Sequence, residues 1–181
     1  MVLYDCEIVK AIPSKYKKTI DDIEYCDGWT DFEGMGISVI AAYDYGQDIY
    51  HTFCKDNLAE FQKLIDGRDV AGFNSNKFDD KLCMAHGVEI VSKDIMLFVM
   101  KVLGAKSFKG LSLGACCKAN GVSSGKTGDG AMAPVDWQRG NYGKVIDYCI
   151  NDVWMLKQLY DTINKNDYIY DPRRFGRRVE I

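Results

Sequence analysis

The order of apolar segments along the chain restricts its fold more than any other feature. Four short, β-prone runs occupy the first part of the sequence, at residues 1–9, 37–43, 49–53 and 70–73. The turn sequence Tyr45-Gly46-Gln47-Asp48 joins the second and third runs into a hairpin. Strands that come first and then alternate with helices predict a mixed α/β sheet in a single domain.

Helical spacing governs the apolar residues elsewhere. Asp56 is expected to cap a helix that ends near residue 65, and Ser75 or Asn76 to cap a second helix that runs to His86. Further helices are predicted at residues 94–103, 111–119 and 142–164. The segment 13–34 lacks such periodicity, and irregular segments of this length are often functional or mobile. Residues 121–134 are expected to form a loop rich in glycine and serine.

Charge and cysteine content exclude several classes of protein. Lysine and arginine number 23 against 26 acidic residues, and the net charge of −3 excludes a polycationic surface that coats duplex nucleic acid. The seven cysteines form no C-x-x-C pair, which argues against a zinc ribbon and favours a reducing compartment. The first residues are too acidic for a signal peptide, and apolar runs are too short for a membrane span. We therefore expect a soluble, cytoplasmic protein with no membrane partner.

Two carboxylates share one face of the first predicted strand. Asp5 and Glu7 are two residues apart, and strand side chains repeat every second residue, so both point to the same side. Burying two acids on an apolar strand is costly unless a cation or a proton offsets them. The pair therefore indicates either a metal site or simply a strand with one solvated face.

Two later segments carry further acids. Asp79 follows the strand at 70–73 and falls in the first turn of the next helix, where it either complements the helix dipole or faces the acids of the first strand. Tyr148 and Asp152 are four residues apart in the long last helix, so they share a helix face. Asp152 is either a functional group or a solvated side chain.

Together the segments read D-x-E, N-x-x-x-F-D and Y-x-x-x-D, at Asp5, at Asn74 to Asp79 and at Tyr148 to Asp152. This set resembles the motifs of the DEDD superfamily of 3′–5′ exonucleases, in its tyrosine-type (DEDDy) branch. It is similar to family B DNA polymerase proofreading domains and to stand-alone ribonuclease-H-like exonucleases. The resemblance implies an α/β, ribonuclease-H-like fold with a mixed five-stranded sheet flanked by helices. It covers residues 1–165 and leaves 166–181 as a basic C-terminal tail.

The resemblance also implies a reaction and a cofactor, namely two-metal hydrolysis of phosphodiester bonds with two Mg²⁺ or Mn²⁺ ions. Carboxylate oxygens are suitable ligands for such ions. By resemblance, Asp5 bridges both metals, and Glu7 and Asp152 bind the metal that activates water. Asp79 binds the second metal, directly or through water. Tyr148 orients the attacking water.

Substrate contacts are implied for three further residues. Asn74 and Phe78 are expected to contact the terminal nucleotide, although Phe78 is equally well explained as a core residue. Lys126 lies in a segment, residues 121–127, that looks like a phosphate-binding P-loop. The segment has three residues, not four, between its first glycine and Gly-Lys, and it follows a predicted helix, so we expect no nucleotide triphosphate partner. Lys126 is expected near a substrate phosphate, or else in a surface loop.

The expected partner is the 3′ end of single-stranded nucleic acid, with DNA favoured over RNA, although no motif reads the 2′-hydroxyl. Two alternatives are open on the same fold: a non-catalytic nucleic-acid-binding or polymerase-associated module, and a structure-specific endonuclease. Several basic residues either hold the backbone of the strand or form a solvated face, namely Lys15, Lys17, Lys18, Arg173, Arg174, Arg177 and Arg178. No protein partner is indicated.

Overall fold

The computed structural model describes residues 1–122 and 128–181. The strands in these residues are β1 (Val2–Ile8), β2 (Ile37–Asp44), β3 (Ile49–Phe53), β4 (Val70–Gly72), β5 (Lys93–Asp94), β6 (Tyr168–Tyr170) and β7 (Arg178–Glu180). The α-helices are α1 (Phe32–Met35), α2 (Leu58–Ile65), α3 (Asp79–Ala85), α4 (Ile95–Val102), α5 (Leu113–Ala119), α6 (Ala133–Gln138) and α7 (Tyr142–Lys165). Short 3-10 turns occupy Pro13–Lys15, Lys55–Asn57 and Ser75–Lys77.

The main sheet has five strands in the order β3-β2-β1-β4-β5. Strand β1 lies at its centre, antiparallel to β2 and parallel to β4, while β5 extends the parallel part. Helices cover both faces, because separate apolar clusters lie on the two sides of the sheet. The prediction of a single-domain α/β fold with a ribonuclease-H-like mixed sheet is therefore confirmed.

The alternation of side chains along β1 determines where its acids lie. Tyr4 and Cys6 point into the apolar cluster formed with α2 and α3. Leu3 points to the opposite face and packs in the cluster that includes α7. Asp5 and Glu7 lie two and four residues after Leu3, and alternate residues of a strand share one face. The strand therefore directs both carboxylates toward α7.

Two helix boundaries and one whole helix differ from the sequence predictions. Helix α2 begins after Asn57, not after Asp56, because the 3-10 turn Lys55–Asn57 comes first, and within that turn the Asn57 side chain accepts a hydrogen bond from the Cys54 backbone N–H at 2.6 Å. The helix expected from Ser75 or Asn76 begins only at Asp79, because a 3-10 turn comes first. Helix α6 was not predicted, since six residues are too few to display a helical period.

The C-terminal residues pair their charges within the chain. Strands β6 and β7 form a separate antiparallel sheet. Arg173 and Arg177 form ion pairs with the buried carboxylate of Asp171, at 2.9 and 3.4 Å, and Arg178 pairs with Glu180 at 3.0 Å. Three of the four arginines in this segment therefore form ion pairs with two neighbouring acids.

No helix in residues 1–122 or 128–181 combines the length and apolar character needed to cross a lipid bilayer.

One buried ion pair connects the β2–β3 hairpin to the start of β4. Asp44 is fully buried at the end of β2, where Arg68 Nη1 donates to its Oδ2 at 2.9 Å and Nη2 donates to Oδ1. This hydrogen-bonded guanidinium lowers the pKa of the Asp44 carboxyl to about 2. The pair therefore stabilises the fold at neutral pH, and this stabilisation is lost only as the pH falls from the ordinary aspartate range through about 2.

Replacing Arg68 by alanine is expected to lower the free energy of unfolding by about 2–3 kcal/mol at neutral pH, because the change leaves a buried carboxylate without its cation. Urea denaturation of the wild type and the variant measures the difference. Arg68→Lys keeps the charge but loses the two-pronged geometry, so an intermediate stability is expected. Equal midpoints for wild type and Arg68→Ala would contradict this role.

Candidate metal centre

Three carboxylates from opposite ends of the chain meet beside the centre of the sheet. Oxygen atoms of Asp5, Glu7 and Asp152 all lie within 4.8 Å of one another. Asp5 and Glu7 come from β1, and Asp152 comes from the face of α7 that crosses it. The Cys149 thiol, one turn before Asp152, donates to the backbone oxygen of Asp5 at 3.4 Å and contacts its Oδ2 at 3.8 Å. Helix α7 therefore packs directly against the acidic residues of β1.

A fourth acid approaches from the other edge of β1. Strand β4 pairs with β1 only at Val2 and Leu3, so it leaves the backbone N–H of Cys6 unpaired on that edge. Asp79, the first residue of α3, accepts a hydrogen bond from this N–H at 3.3 Å and is itself buried. The early end of β4 thus allows the start of α3 to bring Asp79 next to the strand that carries Asp5 and Glu7.

Burial and mutual repulsion raise the pKa values of these acids. The pKa of Asp5 is well above its ordinary value because of burial first, and then because of the charges on Asp79, Asp152 and Glu7. Burial and the Asp152 charge likewise raise the pKa of Glu7, and the ammonium of Lys15 opposes that rise. Burial raises the pKa of Asp79 to about 7, although two backbone hydrogen bonds favour its ionised form. The cluster is therefore strained electrostatically unless protons or cations occupy it.

The donor set fits hard divalent cations. The clustered ligand atoms are carboxylate oxygens, which Mg²⁺ and Mn²⁺ prefer. The neighbouring Cys149 does not change this preference, because burial and the nearby acids raise its thiol pKa well above the ordinary value. The thiol stays protonated at neutral pH and is not available as a thiolate ligand.

Tyr148 lies one turn before Asp152 on the same helix. Its hydroxyl is hydrogen-bonded to Asp152, and its pKa is raised above the ordinary tyrosine value by burial first and then by the charges of Asp152, Glu7 and Asp5. The ring is enclosed by a glycine-rich stretch: a side chain at Gly128 would begin 3.0 Å from the ring, and one at Gly130 would begin 3.2 Å from the hydroxyl oxygen. Tyr148 therefore keeps its proton at neutral pH in a closely packed position.

The loop that carries Asn74 is held by an acid that the sequence reasoning did not identify. Asn74 has a left-handed backbone, with φ at 65°, and its N–H donates to Asp94 Oδ1 at 3.0 Å. The same carboxylate caps α4 by accepting from the N–H of Met96 at 2.9 Å. The signal for Asp94 was its place directly before the apolar run at 95–99, which is typical of a helix N-cap.

Phe78 lies between the core and the segment 13–34. It is half-buried and packs against the apolar cluster below β1. Its ring makes edge-to-face contacts with Trp29 and Phe32, with centroids 6.3 and 5.9 Å away. Phe78 therefore combines a packing role with a partly exposed ring one residue before Asp79. Lys126, predicted near a phosphate, lies outside the described residues.

Comparisons with known proteins identify the fold alone. No family model matches the chain, and no curated protein sequence matches it. Among solved structures, it is similar to the family B DNA polymerase from the hyperthermophilic archaeon Pyrobaculum calidifontis, with a TM-score of 0.51 and 13% identity. The match covers 87% of this chain and 24% of the polymerase, so the chain corresponds to about a quarter of that protein. The shared feature is the arrangement of sheet and helices, while membership of the DEDDy branch stays a prediction.

Proposed function

We propose that this protein is a metal-dependent 3′–5′ exonuclease that hydrolyses single-stranded nucleic acid, DNA in preference to RNA. The observation that carries the proposal is the convergence of Asp5, Glu7 and Asp152 within 4.8 Å, with Asp79 hydrogen-bonded to the strand between the first two. A structural role does not require buried acids of one charge to be grouped in this way, because such a group lowers stability unless cations are bound.

Asp5, Glu7 and Asp152 are the residues that would hold one divalent ion, and Asp5 with Asp79 would hold the second. When bound, such ions lower the pKa of a coordinated water and stabilise the charge that develops on the attacking and leaving oxygens. In their absence the four carboxylates repel a phosphodiester. The acids of this chain therefore make substrate binding at the site dependent on cations.

Tyr148 contributes a protonated hydroxyl group and does not act as a general base. The raised pKa keeps its proton in place at neutral pH, so the hydroxyl acts through hydrogen bonds and orients a water molecule beside Asp152. Asn74 and Phe78 flank the 3-10 turn that leads into α3 and Asp79, where an amide and a partly exposed ring suit the terminal nucleotide. The likeness of fold to a DNA polymerase supports a substrate that is nucleic acid.

The test is digestion of 5′-labelled linear and circular single strands, as DNA and as RNA, with millimolar Mg²⁺ or Mn²⁺. The proposal expects linear strands to shorten from the 3′ end, circles to persist, and DNA to be digested faster than RNA. Cleavage of circles would indicate an endonuclease instead. No digestion of any strand, with nucleic-acid binding intact, would indicate a non-catalytic module.

Tyr148→Phe is expected to slow digestion by about a hundredfold, because the attacking water loses its positioning contact. The ring remains, so packing against Gly128 and Gly130 is preserved and stability changes little. Manganese binding, followed by the metal-induced rise in melting temperature, is expected to match the wild type. A variant that digests at the wild-type rate would exclude an orienting role for the hydroxyl.

A further inference from the structure

Two large aromatic side chains that contact Phe78 and Lys77 are exposed to solvent. Trp29 is 51% exposed and Phe108 is 60% exposed. A lysine ammonium lies over each ring, with Lys15 Nζ 5.2 Å from the Trp29 centroid and Lys77 Nζ 4.9 Å from the Phe108 centroid. Each exposed ring therefore lies beside a positive charge, although the net charge of the chain is −3.

These side chains form two adjoining groups, which the neighbouring residues Lys77 and Phe78 connect through the backbone. Phe78 contacts the Trp29 ring edge-on, at 6.3 Å, and follows Lys77 directly in sequence. The row therefore runs Lys15, Trp29, Phe78, Lys77, Phe108, and we call it the aromatic–lysine row. Its middle member immediately precedes Asp79, and its first member is the cation whose charge acts on Glu7. Lys15 and Phe78 therefore bring this part of the row close to the acidic residues.

The aromatic–lysine row combines an oriented indole ring with ammonium groups that can reach a ligand. The Trp29 indole N–H donates to Ser14 Oγ at 2.9 Å, which holds the ring in a defined orientation. Within residues 1–122 and 128–181, neither Lys15 nor Lys77 is engaged in an ion pair with an acid. Both ammonium groups are therefore available to turn from a ring to a phosphate.

We propose that the aromatic–lysine row binds the single strand as its 3′ end enters the carboxylate site, with bases stacked on Trp29 and Phe108 and phosphates held by Lys15 and Lys77. The inference rests on the proposed function and extends it to the path of the strand. Stacking on exposed rings beside cations is how proteins bind single strands without reading their sequence. The chemistry therefore favours unpaired nucleic acid over a duplex, whose bases are not available for stacking.

The test measures the affinity of the protein for 5′-fluorescein oligothymidylates by fluorescence anisotropy in EDTA, so that strand binding is separated from catalysis. Two lengths are used, about three and about twelve nucleotides. Chelation removes divalent ions, so binding of the longer strand reports the row alone. Trp29→Ala and Phe108→Ala are each expected to weaken that binding about tenfold, and Phe108→Ala to leave the shorter strand unaffected. Lys77→Gln is expected to reduce the slope of log affinity against log salt by about 0.7.

Tyr50→Ala is the matched control. Tyr50 is 37% exposed and pairs with Tyr43, which is opposite Leu3, so it lies toward the end of β1 that is remote from Glu7. This variant is expected to bind like the wild type. Circular dichroism melts check that each variant is folded.

The possible outcomes distinguish the proposal of strand binding by the row from the proposal of nuclease activity. Suppose that the wild type digests linear strands but Trp29→Ala and Phe108→Ala bind the oligothymidylate as tightly as Tyr50→Ala. That result would refute strand binding by the aromatic–lysine row and leave the proposed nuclease activity supported. Suppose instead that the two variants bind more weakly as expected, but the wild type digests no strand with Mn²⁺. That result would support the row as a binding surface and refute the proposed nuclease activity. Absence of binding by the wild type in EDTA also refutes the row.

Discussion

Asp5→Asn is expected to abolish digestion, by about a thousandfold or more, while making the metal-free protein more stable. Loss of about 4 kcal/mol of stabilisation of the reacting charges corresponds to a thousandfold change in rate. Asp5 is central to the cluster, because its carboxylate lies within reach of Glu7 and Asp152 and its pKa is also raised by Asp79. A neutral amide of the same shape removes a ligand that both ions would need.

The rise in stability has a separate physical cause. The raised pKa of Asp5 shows that the folded state disfavours its charge. Asparagine carries no charge to bury, so the free energy of unfolding in EDTA at pH 8 is expected to increase by about 1–2 kcal/mol. Loss of activity with a gain in stability is typical of groups retained for function.

Digestion of a labelled strand and urea denaturation in EDTA measure the two effects of Asp5→Asn. Asp147→Asn is a matched control, because Asp147 is an exposed acid on the same helix as Asp152. The control is expected to digest normally and to leave stability nearly unchanged. An Asp5→Asn protein that digests like this control, or one that unfolds more easily than the wild type in EDTA, would contradict the account.

The second large effect is that the metal removes most of a fall in stability that occurs as the pH rises. Acids whose pKa is higher in the folded state than in the unfolded state hold extra protons when folded. Their contribution is therefore fully present at low pH and is lost as the pH rises through the folded pKa. For Asp79 this window runs from 3.8 to about 7, and the raised pKa values of Asp5 and Glu7 act in the same direction.

In EDTA the free energy of unfolding is therefore expected to fall between pH 4 and pH 8, by about 1.4 kcal/mol per pH unit for each proton held only in the folded state. Asp44 and Asp171 act in the opposite sense, but their lowered pKa values confine that effect to more acidic solutions. Saturating Mn²⁺ is expected to remove most of the fall, since a ligand at a hundred times its dissociation constant adds about 2.7 kcal/mol.

Melting temperatures across this pH range, with EDTA and with Mn²⁺, provide the measurement. The stabilisation by Mn²⁺ is expected to be largest at pH 8, where the acids are ionised, and small at pH 5. Asp152→Asn is expected to lose most of it at every pH. A melting temperature at pH 8 that does not respond to millimolar Mn²⁺ would count against a metal centre.

Much of the site was predictable because its residues obey local rules. Asp5 and Glu7 share a face by strand periodicity, and Tyr148 and Asp152 share one by helix periodicity, so each pair needs only the correct assignment of its element. The meeting of β1 with α7 was not local, and only the order and identity of the motifs suggested it. The roles assigned to these residues, and to Asn74 and Phe78, stay predictions.

Other features left too little signal in the sequence. Strand β5 has two residues, Lys93 and Asp94, and forms a strand only because β4 offers a parallel edge. The sequence predicts that the segment 13–34 is irregular, and most of it is, but the packing of Trp29 against Phe78 depends on contacts far along the chain. Such contacts follow from the tertiary fold, so periodicity and propensity do not reveal them.

The most direct test of the central claim is the anomalous scattering of manganese in crystals grown with Mn²⁺. We expect two manganese peaks, one in contact with Asp5, Glu7 and Asp152 and the other in contact with Asp5 and either Asp79 itself or a water molecule bound to it. Crystals grown with saturating Mn²⁺ and showing no anomalous peak at these carboxylates would contradict this expectation.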